Sequence, residues 1–272
     1  DRGENDQWFQ AGIKDRICDV PGAWQYIFDD LRDYFGTVWY EREFTIGSQY
    51  KNKRIAMVFC AVDYHATIWI NGHLAGQHEG AYLPFSVDVS PWVNFGSSNT
   101  ITVKATAPPE RLEVPGPEDG RRHGNAIWRS VWIEATDSTY VADIHVMPDL
   151  DASLAKVEVE VNSAAIGRER NLNLRLRMVG PDGRQHVLRQ DIVLPQGERP
   201  FSVPIQNAIR IDVPILWSLE KPRLYQLTAE IMDGETLLDS ATRDFGMRKI
   251  DIQGKYLCLN NQPVYLMGAM DP

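Results

Sequence analysis

Apolar and polar residues alternate with a period of two along most of the chain, which is the pattern expected of β-strands. Turn residues separate the alternating runs, and Asn71-Gly72 is the strongest hairpin signal among them. The runs predict strands within residues 54–62, 66–70, 100–106, 130–134, 155–161, 171–178, 186–194, 224–231 and 254–259. Many short strands with regular turns are typical of sandwiches or barrels, so the sequence predicts an all-β protein.

One segment departs from this pattern. Its apolar residues recur at helical spacing, at Trp24, Ile27, Phe28, Leu31 and Phe35. The spacing predicts a short surface helix over residues 23–35.

The two halves of the chain differ in character. Seven of the eight tryptophans precede residue 138, whereas residues 155–178 alternate cleanly between apolar and charged positions. We therefore place a domain boundary near Ser138. Four tryptophans lie in strand patterns and are predicted to be core residues: Trp39, Trp69, Trp128 and Trp132.

The last 23 residues, from Ile250 onward, predict a small hairpin followed by an apolar strand over residues 263–268. This strand has no later strand to pair with, and an exposed apolar edge would favour aggregation. It is therefore predicted to open a further domain. The chain begins with Asp1 and lacks an initiator Met, so we expect it either to begin inside a longer gene product or to be a trimmed chain.

Composition excludes several classes of protein. The 272 residues are 43% hydrophobic and 24% charged, as in globular proteins rather than disordered or collagen-like ones. The chain has a net charge of -9 and no basic stripe, which argues against binding to nucleic acid. Apolar runs are far shorter than the roughly 20 residues of a membrane helix, and the start of the chain has no secretory signal.

The usual catalytic and metal motifs are not found. Three widely spaced cysteines, without a CxxC pair, predict neither a disulfide framework nor a zinc site. His65, His73 and His78 have a spacing that fits no compact ligand set. The sequence has no GxSxG, GxxxxGK[ST] or HExxH motif. We predict no cofactor and no metal.

A long loop over residues 108–125 is the strongest candidate for a functional segment. It contains four prolines and groups the polar residues Asp119, Arg121, Arg122, His123 and Asn125. Long ordered loops between strands often carry function. A solvated connection with no site is the alternative interpretation.

Seven segments, taken together and in order, resemble glycoside hydrolase family 2, the β-galactosidase and β-glucuronidase family. TVWYEREF at 37–44 resembles the strand that opens the sugar-binding domain of this family. The others are FCAVDYHATIWINGH at 59–73, HEGAYLPFSVDV at 78–89, AIWRSVWIE at 126–134, WSLEKPRLY at 217–225, FGMRKI at 245–250 and LNNQPVYLMG at 259–268. Each segment alone is weak evidence, but the ordered series spans nearly the whole chain.

The resemblance implies a fold and a domain organisation. Residues 1–138 would form a jelly-roll sugar-binding domain, and residues 139–249 an immunoglobulin-like sandwich. Residues 250–272 would begin a (β/α)8 catalytic barrel that is truncated here.

The resemblance also implies a function. Members of the family hydrolyse β-glycosidic bonds by a retaining mechanism with two glutamates, and both glutamates lie on barrel strands downstream of Pro272. This chain would therefore contain no catalytic residue and would be inactive by itself. Its partners would be a carbohydrate substrate and its own downstream barrel, with neither nucleic acid nor a membrane, and relatives often form homo-oligomers. The compartment stays open between the cytoplasm and the periplasm of a bacterium.

The resemblance places substrate-binding residues in the long loop. In relatives, an Asp shortly before the segment that matches 126–134 reaches the sugar hydroxyls. The position aligned without a gap is Gly120, so we assign the role to the adjacent Asp119, with Arg121 and Arg122 as neighbours. A cation there would favour an acidic sugar through charge-assisted hydrogen bonds.

The chain departs from the family pattern at two places. Ala126 replaces a glycine, and the end of the chain, at 268–272, replaces the usual "GvNrHe". The departure at 268–272 resembles a divergent subgroup and leaves the sugar specificity open, whereas Ala126 leaves the path of the preceding loop open. The alternative function is a stand-alone carbohydrate-binding pair of sandwiches, and a third is a pure scaffold.

Overall fold

The computed structural model describes residues 2–13, 16–32, 34, 36–106, 127–163, 170–194 and 201–265. These residues fall into two compact units, one within residues 1–135 and one within residues 136–271. Strands dominate both units, so the all-β prediction is confirmed. Among the described residues, no helix has the length and apolar character needed to cross a membrane.

Where the structure describes the first unit, it has three one-turn helices and seven strands. The helices are α1 (Arg2–Asn5), α2 (Trp8–Ala11) and α3 (Trp24–Ile27), and the strands are β1 (Thr37–Thr45), β2 (Arg54–Phe59), β3 (His65–Ile70), β4 (His73–Glu79), β5 (Phe85–Asp88), β6 (Ser98–Thr106) and β7 (Val131–Thr136). Short 3-10 turns follow at Asp29–Leu31 and Ser48–Tyr50.

Two sheets form the sandwich of the first unit, with strand orders β1-β6-β3-β4 and β5-β2-β7. The alternation along β3 and β6 directs Ile68 and Val103 into a core that they share with Ile55 and Phe59 of β2. All four side chains are 3% exposed or less. The alternating apolar positions found in the sequence thus become the inner faces of a jelly-roll sandwich.

The outer face of the β1-β6-β3-β4 sheet is covered by the start of the chain. Trp39 and Trp69 stack on this face with ring centres 5.2 Å apart, and Phe9 stacks on Trp69 at 5.1 Å. Lys104 Nζ lies 2.6 Å from Glu4 Oε1 and joins the same segment to β6. Helices α1 and α2 therefore enclose two large indoles on a face that would otherwise meet water.

The predicted burial of the strand tryptophans is only partly right. Trp69 is buried, at 8% exposure, whereas Trp39 and Trp128 are half-buried. Trp132 is 42% exposed, so its assignment to the core is wrong. It lies on β7 at a sheet edge, with its indole N–H donating to Glu134 Oε1 at 2.8 Å.

The predicted hairpin at Asn71-Gly72 is confirmed. Asn71 and Gly72 have φ of 50° and 80° and join β3 to β4, as a two-residue hairpin turn requires. The Asn71 side chain donates to the Trp92 carbonyl at 2.7 Å and to Asn99 Oδ1 at 2.9 Å. Its own Oδ1 accepts the Thr100 N–H at 2.9 Å, so the turn is tied to two neighbouring segments.

The predicted helix over residues 23–35 is wrong as a single element. Helix α3 has one turn and ends at Phe28, which has extended backbone (φ −124°, ψ 115°) before the 3-10 turn at Asp29–Leu31. Trp24, Phe28 and Leu31 nevertheless pack together with Val38. The helical spacing of the apolar residues therefore has a structural basis in this cluster. One helical turn followed by a 3-10 turn brings the same side chains to the same side of the segment.

The described residues of the second unit form ten strands. They are β8 (Thr139–Asp149), β9 (Leu154–Ser163), β10 (Arg170–Val179), β11 (Gln185–Leu194), β12 (Phe201–Arg210), β13 (Tyr225–Asp233), β14 (Thr236–Phe245), β15 (Ile250–Gln253), β16 (Tyr256–Leu259) and β17 (Gln262–Pro263).

The sandwich of the second unit is immunoglobulin-like, with sheets β11-β10-β13-β14 and β12-β9-β8. Its core alternates along β9 and β10, where Val159, Leu174 and Leu176 are fully buried. Pro204 lies in β12 at the edge of its sheet, where a missing N–H donor is tolerated. The predicted turns at 181–183 and 233–234 are confirmed by Gly183 and Gly234 with φ of 81° and 58°.

The last described residues form a small sheet of order β15-β16-β17. The predicted hairpin is confirmed, with a turn at Lys255 and pairing between Ile250 and Leu259. The predicted unpaired strand over 263–268 is partly wrong, because Gln262 and Pro263 pair with β16. Residues 266–272 lie outside the described residues.

Candidate functional site

The three predicted binding residues, Asp119, Arg121 and Arg122, lie outside the described residues, as does the whole of 107–126. The structure does describe both ends of this segment, which leaves β6 at Thr106 and is followed by Ile127. The candidate site is therefore the described surface around these two anchors, which we call the rim. The rim comprises Tyr34, Thr37, Tyr64, His65, Glu79, Tyr82, Thr106 and Trp128.

A row of polar side chains crosses the sheet at the rim. Register places Thr106 beside both Thr37 and His65, and His65 beside Glu79. The Thr37 and Thr106 hydroxyl oxygens are 3.0 Å apart. The Tyr64 hydroxyl donates to Glu79 Oε1 at 3.4 Å, and His65 Nδ1 is 3.9 Å from Glu79 Oε2. The row offers hydroxyl, imidazole and carboxylate groups side by side.

An aromatic pair lies next to this row. The Trp128 indole N–H donates to the Ala81 carbonyl at 2.9 Å, which fixes Trp128 against the segment after β4. Tyr82 meets Trp128 edge to face at 6.0 Å, and the Arg129 guanidinium lies 4.8 Å from the Trp128 ring centre. Tyr82 is 45% exposed.

Trp24 supports the rim from below. It is 2% exposed and packs against Tyr40 and Trp128. Its indole N–H donates to the Tyr34 carbonyl at 3.4 Å, and the Tyr34 hydroxyl donates to the Thr37 carbonyl at 3.0 Å. Rim residues from distant parts of the chain therefore share one buried support.

Burial changes the titration of two groups near the rim. Desolvation, and then the nearby charge of Asp63, raise the pKa of the Tyr82 phenol above its usual value. Desolvation lowers the pKa of His78, against a smaller opposing effect of Glu79. The His78 ring stacks on Phe85 with centres 3.9 Å apart.

The lowered pKa of His78 predicts a pH-dependent stability. Below about pH 6.5, the unfolded chain binds the His78 proton more readily than the folded chain does, so acidification costs folding free energy. We expect His78→Phe, which keeps an aromatic ring against Phe85, to lose less stability than the wild type between pH 7.5 and pH 5.5. Urea unfolding at the two pH values tests this, and an equal loss in both proteins would contradict it.

The described residues contain no group of three or more His, Cys, Asp or Glu side chains placed to hold a metal ion. His65 and His73 lie at opposite ends of the β3–β4 hairpin, and His78 faces Phe85. The three cysteines are free, with Cys258 buried and Cys18 and Cys60 half-buried.

The rim presents aromatic and polar groups whose chemistry allows stacking and hydrogen bonding. Aromatic rings such as Tyr82 present apolar faces with a polar edge, and the adjacent row supplies hydrogen-bond partners for hydroxyl groups. Glu79 has a side chain 66% exposed, which is unlike the buried carboxylic acid that a general acid requires. Sequence reasoning did not single out Tyr82 or Glu79, although both lie in the segment 78–89 quoted for its resemblance.

Two family models match the chain, one in each unit. The sugar binding domain of glycosyl hydrolases family 2 matches residues 3–107, and the following domain of glycosyl hydrolases family 2 matches residues 139–248. The two matches fall in succession, one on each all-β sandwich. The chain belongs to glycosyl hydrolase family 2.

Individual relatives agree with this assignment. The chain is 26% identical to a β-galactosidase of Thermoanaerobacter pseudethanolicus, over 87% of this chain and 32% of the relative. It is 23% identical to a β-glucuronidase of Paenibacillus borealis, over 98% and 46%. The crystal structure of a Bacteroides uniformis β-glucuronidase superposes with a TM-score of 0.80 at 26% identity, over 96% and 33%. The chain thus spans 32% to 46% of the length of these relatives.

Proposed function

We propose that this chain is the N-terminal, non-catalytic part of a family 2 glycoside hydrolase that cleaves β-glycosidic bonds. The observation that carries the proposal is the succession of two family 2 domains along a chain that covers only 32% and 46% of two glycosidase relatives. More than half of each relative lies outside the matched region, which leaves room for a separate catalytic domain.

The proposed mechanism is retaining hydrolysis by two glutamates about 5 Å apart, one acting as acid/base and one as nucleophile. Both glutamates belong to the part of the gene product that follows this chain. We therefore propose that the 272-residue chain is inactive by itself. The exposed carboxylate at the rim, Glu79, supports a binding role for this region.

We propose the domain limits 1–138 for the sugar-binding jelly roll, 139–249 for the immunoglobulin-like sandwich and 250–272 for the start of a (β/α)8 barrel. Within the first domain, Asp119, Arg121 and Arg122 are proposed to contact the sugar of the bound substrate. The segment that holds them is anchored in the rim at Thr106 and Ile127, beside Tyr82 and Trp128.

The test is a comparison of the full-length gene product with the 272-residue chain on 4-nitrophenyl β-galactoside and β-glucuronide. We expect turnover by the full-length protein and none by the chain alone. A full-length protein that hydrolyses neither these nor other aryl β-glycosides would overturn the proposal, as would hydrolysis by the chain alone.

The same experiment tests the proposed binding residues. In the full-length enzyme, Asp119→Asn is expected to raise KM or lower kcat/KM, whereas Asp212→Asn, in the other unit and 80% exposed, serves as the control. Arg121→Gln and Arg122→Gln are expected to impair the glucuronide more than the galactoside, because they remove a positive charge near an acidic sugar. Equal effects on both substrates would argue against that role.

A carbohydrate-binding protein without catalysis is the second candidate, favoured by the exposed Tyr82 ring beside Trp128. Calorimetric titration of the isolated chain with galactose, glucuronate and their β-linked oligosaccharides separates the two. Binding by the chain, together with an inactive full-length protein, would favour this alternative.

A further inference from the structure

Three arginines lie together on the outer face of the β11-β10-β13-β14 sheet. Antiparallel register places Arg175 of β10 directly opposite Arg189 of β11, and Arg177 is two residues further along β10. Residues two apart on a strand, like residues directly opposite each other, project from the same side of a sheet. Leu174 and Leu176, which alternate with them along β10, are fully buried, so the arginines project away from the core. We call Arg175, Arg177 and Arg189 the arginine cluster.

The arginine cluster is unfavourable for the sheet that carries it. Like charges directly opposite each other on antiparallel strands are destabilising, and Arg175 and Arg189 form such a pair. The chain as a whole is acidic, with 37 Asp and Glu against 28 Lys and Arg and a net charge of -9. Positive charge is therefore concentrated at one place of an acidic protein, and a local excess of one sign of charge attracts ligands of the opposite sign.

One of the three arginines is neutralised by a carboxylate. Arg175 forms an ion pair with Glu230, its opposite residue on β13. Among the described residues, neither Arg177 nor Arg189 takes part in an ion pair. The cluster thus sets three guanidinium groups against one carboxylate, and it keeps two positive charges for an external anion.

Two other carboxylates on the same face are bound to amides instead of to the cluster. Asp191, at one end of the cluster, accepts a hydrogen bond from Asn173 Nδ2 at 3.0 Å. Asp244, on β14 and two strands away from β10, accepts one from Gln226 Nε2 at 3.3 Å. Carboxylates for further ion pairs are therefore present on this face, but the fold uses them elsewhere.

The end of the cluster away from Asp191 has groups suited to a sugar. Val187 lies directly opposite Arg177 and is 56% exposed, and Gln185 and Arg189 are exposed as well. The Val187 methyl groups can contact the C–H face of a sugar ring, and the Gln185 amide can donate to and accept from hydroxyl groups. Neither β10 nor β11 contains Phe, Tyr or Trp, so charge rather than ring stacking would supply the affinity.

We propose that the arginine cluster binds the carboxylate groups of an acidic polysaccharide, a polymer that contains uronate sugars. A guanidinium group matches a carboxylate with two parallel hydrogen bonds, and Arg175 already pairs with the carboxylate of Glu230. This site belongs to the unit within residues 136–271, whereas the rim belongs to the other unit. It goes beyond the proposed hydrolysis and does not depend on it.

Charge density favours a polysaccharide over a nucleic acid. Proteins that bind DNA commonly contact about 6–10 phosphates, and the cluster has only two arginines without an ion pair among the described residues. The net charge of -9 would in addition repel the dense charge of a phosphate backbone. A polyuronate spreads its carboxylates over sugar rings, which can also bind the neutral groups of Val187 and Gln185.

The test measures the binding of polygalacturonate by calorimetric titration, with the 272-residue chain and with the full-length gene product. Its α-linkages are not substrates for a β-glycosidase. Dextran is the neutral polymer for comparison, heparin supplies sulfate groups and duplex DNA supplies phosphates. Arg177→Gln/Arg189→Gln removes the two charges without an ion pair. Arg210→Gln/Arg243→Gln is the matched control, because it removes the same charge from exposed arginines of this unit on β12 and β14.

We expect polygalacturonate to bind, dextran not to bind, and Arg177→Gln/Arg189→Gln to weaken binding by at least about tenfold. The control should change the affinity by less than about twofold. Binding should weaken between about 50 mM and 500 mM salt, because salt screens exposed charges. Absence of polygalacturonate binding would overturn the proposal, as would equal losses in the two variants. Binding to heparin or DNA but not to polygalacturonate would overturn it as well.

Folding stability separates a loss of binding from a loss of structure. Arg177→Gln/Arg189→Gln removes the like-charge pair with Arg175, so we expect its melting temperature to be unchanged or to rise by a few degrees. A fall of more than about 2 °C would show that the arginines stabilise the sheet, and would overturn the proposal. Hydrolysis of aryl β-glycosides by the wild-type full-length protein reports the proposed function separately. An inactive full-length protein that binds polygalacturonate would overturn only that function.

Discussion

Replacing Trp24 with Ala is expected to destabilise the unit within residues 1–135 by about 3–5 kcal/mol, the range for removing a fully buried aromatic ring. Trp24 is 2% exposed and is the centre of its own cluster, with Phe28, Leu31 and Trp128 against it. The substitution also leaves the Tyr34 carbonyl without the indole donor at 3.4 Å. Because Trp24 contacts both regions, we expect the substitution to loosen the packing around α3 and the packing at the rim at the same time.

Native-state hydrogen exchange of β1 and β6 amides measures this effect, because it reports the opening free energy of the unit that contains them. Trp132→Ala is the control, since Trp132 is 42% exposed and should cost much less. Trp24→Phe should recover part of the loss by refilling the cavity. A Trp24→Ala effect no larger than that of Trp132→Ala would show that the cluster does not support the unit.

Replacing Asn71 with Ala is expected to cost about 2.5–6.5 kcal/mol. The Asn71 amide group makes three hydrogen bonds, to Trp92, Asn99 and Thr100, each contributing about 0.5–1.5 kcal/mol. In addition, Ala at this position would have to keep the φ of 50° without a compensating side-chain hydrogen bond. This conformation destabilises the fold by about 1–2 kcal/mol.

Asn71→Gly separates these two contributions. Glycine accepts the positive φ without strain but loses the same hydrogen bonds, so we expect a loss intermediate between the wild type and Asn71→Ala. Exchange of the β3 and β4 amides provides the measurement. Wild-type stability in Asn71→Gly would mean that the side-chain hydrogen bonds contribute nothing net.

The strand positions were predictable because their signal is local. In β9 and β10 every second residue must be apolar to reach the core, and this alternation is visible in the sequence at 155–161 and 171–178. Turns were equally accessible, since a positive φ selects Asn or Gly, as at Asn71 and Gly183. Strands with weaker alternation, such as β8 and β14, carried no comparable signal.

Prediction failed where the surroundings of a segment decide the outcome. Trp132 lies in a strand pattern, but β7 is at an edge and that side chain remains 42% exposed. Helical spacing over 23–35 became one helical turn and one 3-10 turn around Trp24. In both cases tertiary contacts override a local preference.

The candidate site shows the same division. Sequence resemblance directed attention to Asp119, Arg121 and Arg122, whose contact with a sugar stays a prediction. The rim joins Tyr34, Tyr64, Glu79 and Trp128 from four separate segments. The spacing of these residues in the sequence does not predict that they lie close together, because their proximity results from sheet register and from packing on Trp24.

The sequence by itself determined the all-β class, the position of most strands and turns, and membership of family 2, because alternation, turn residues and ordered motifs are properties of short segments. Only the tertiary structure decided which face each strand buries. It enclosed Trp39 and Trp69 beneath the first helices and left Ile250 and Ile252 exposed. The physical reason is that burial depends on which residues distant in the chain cover a side chain, and a local pattern contains no information about that cover.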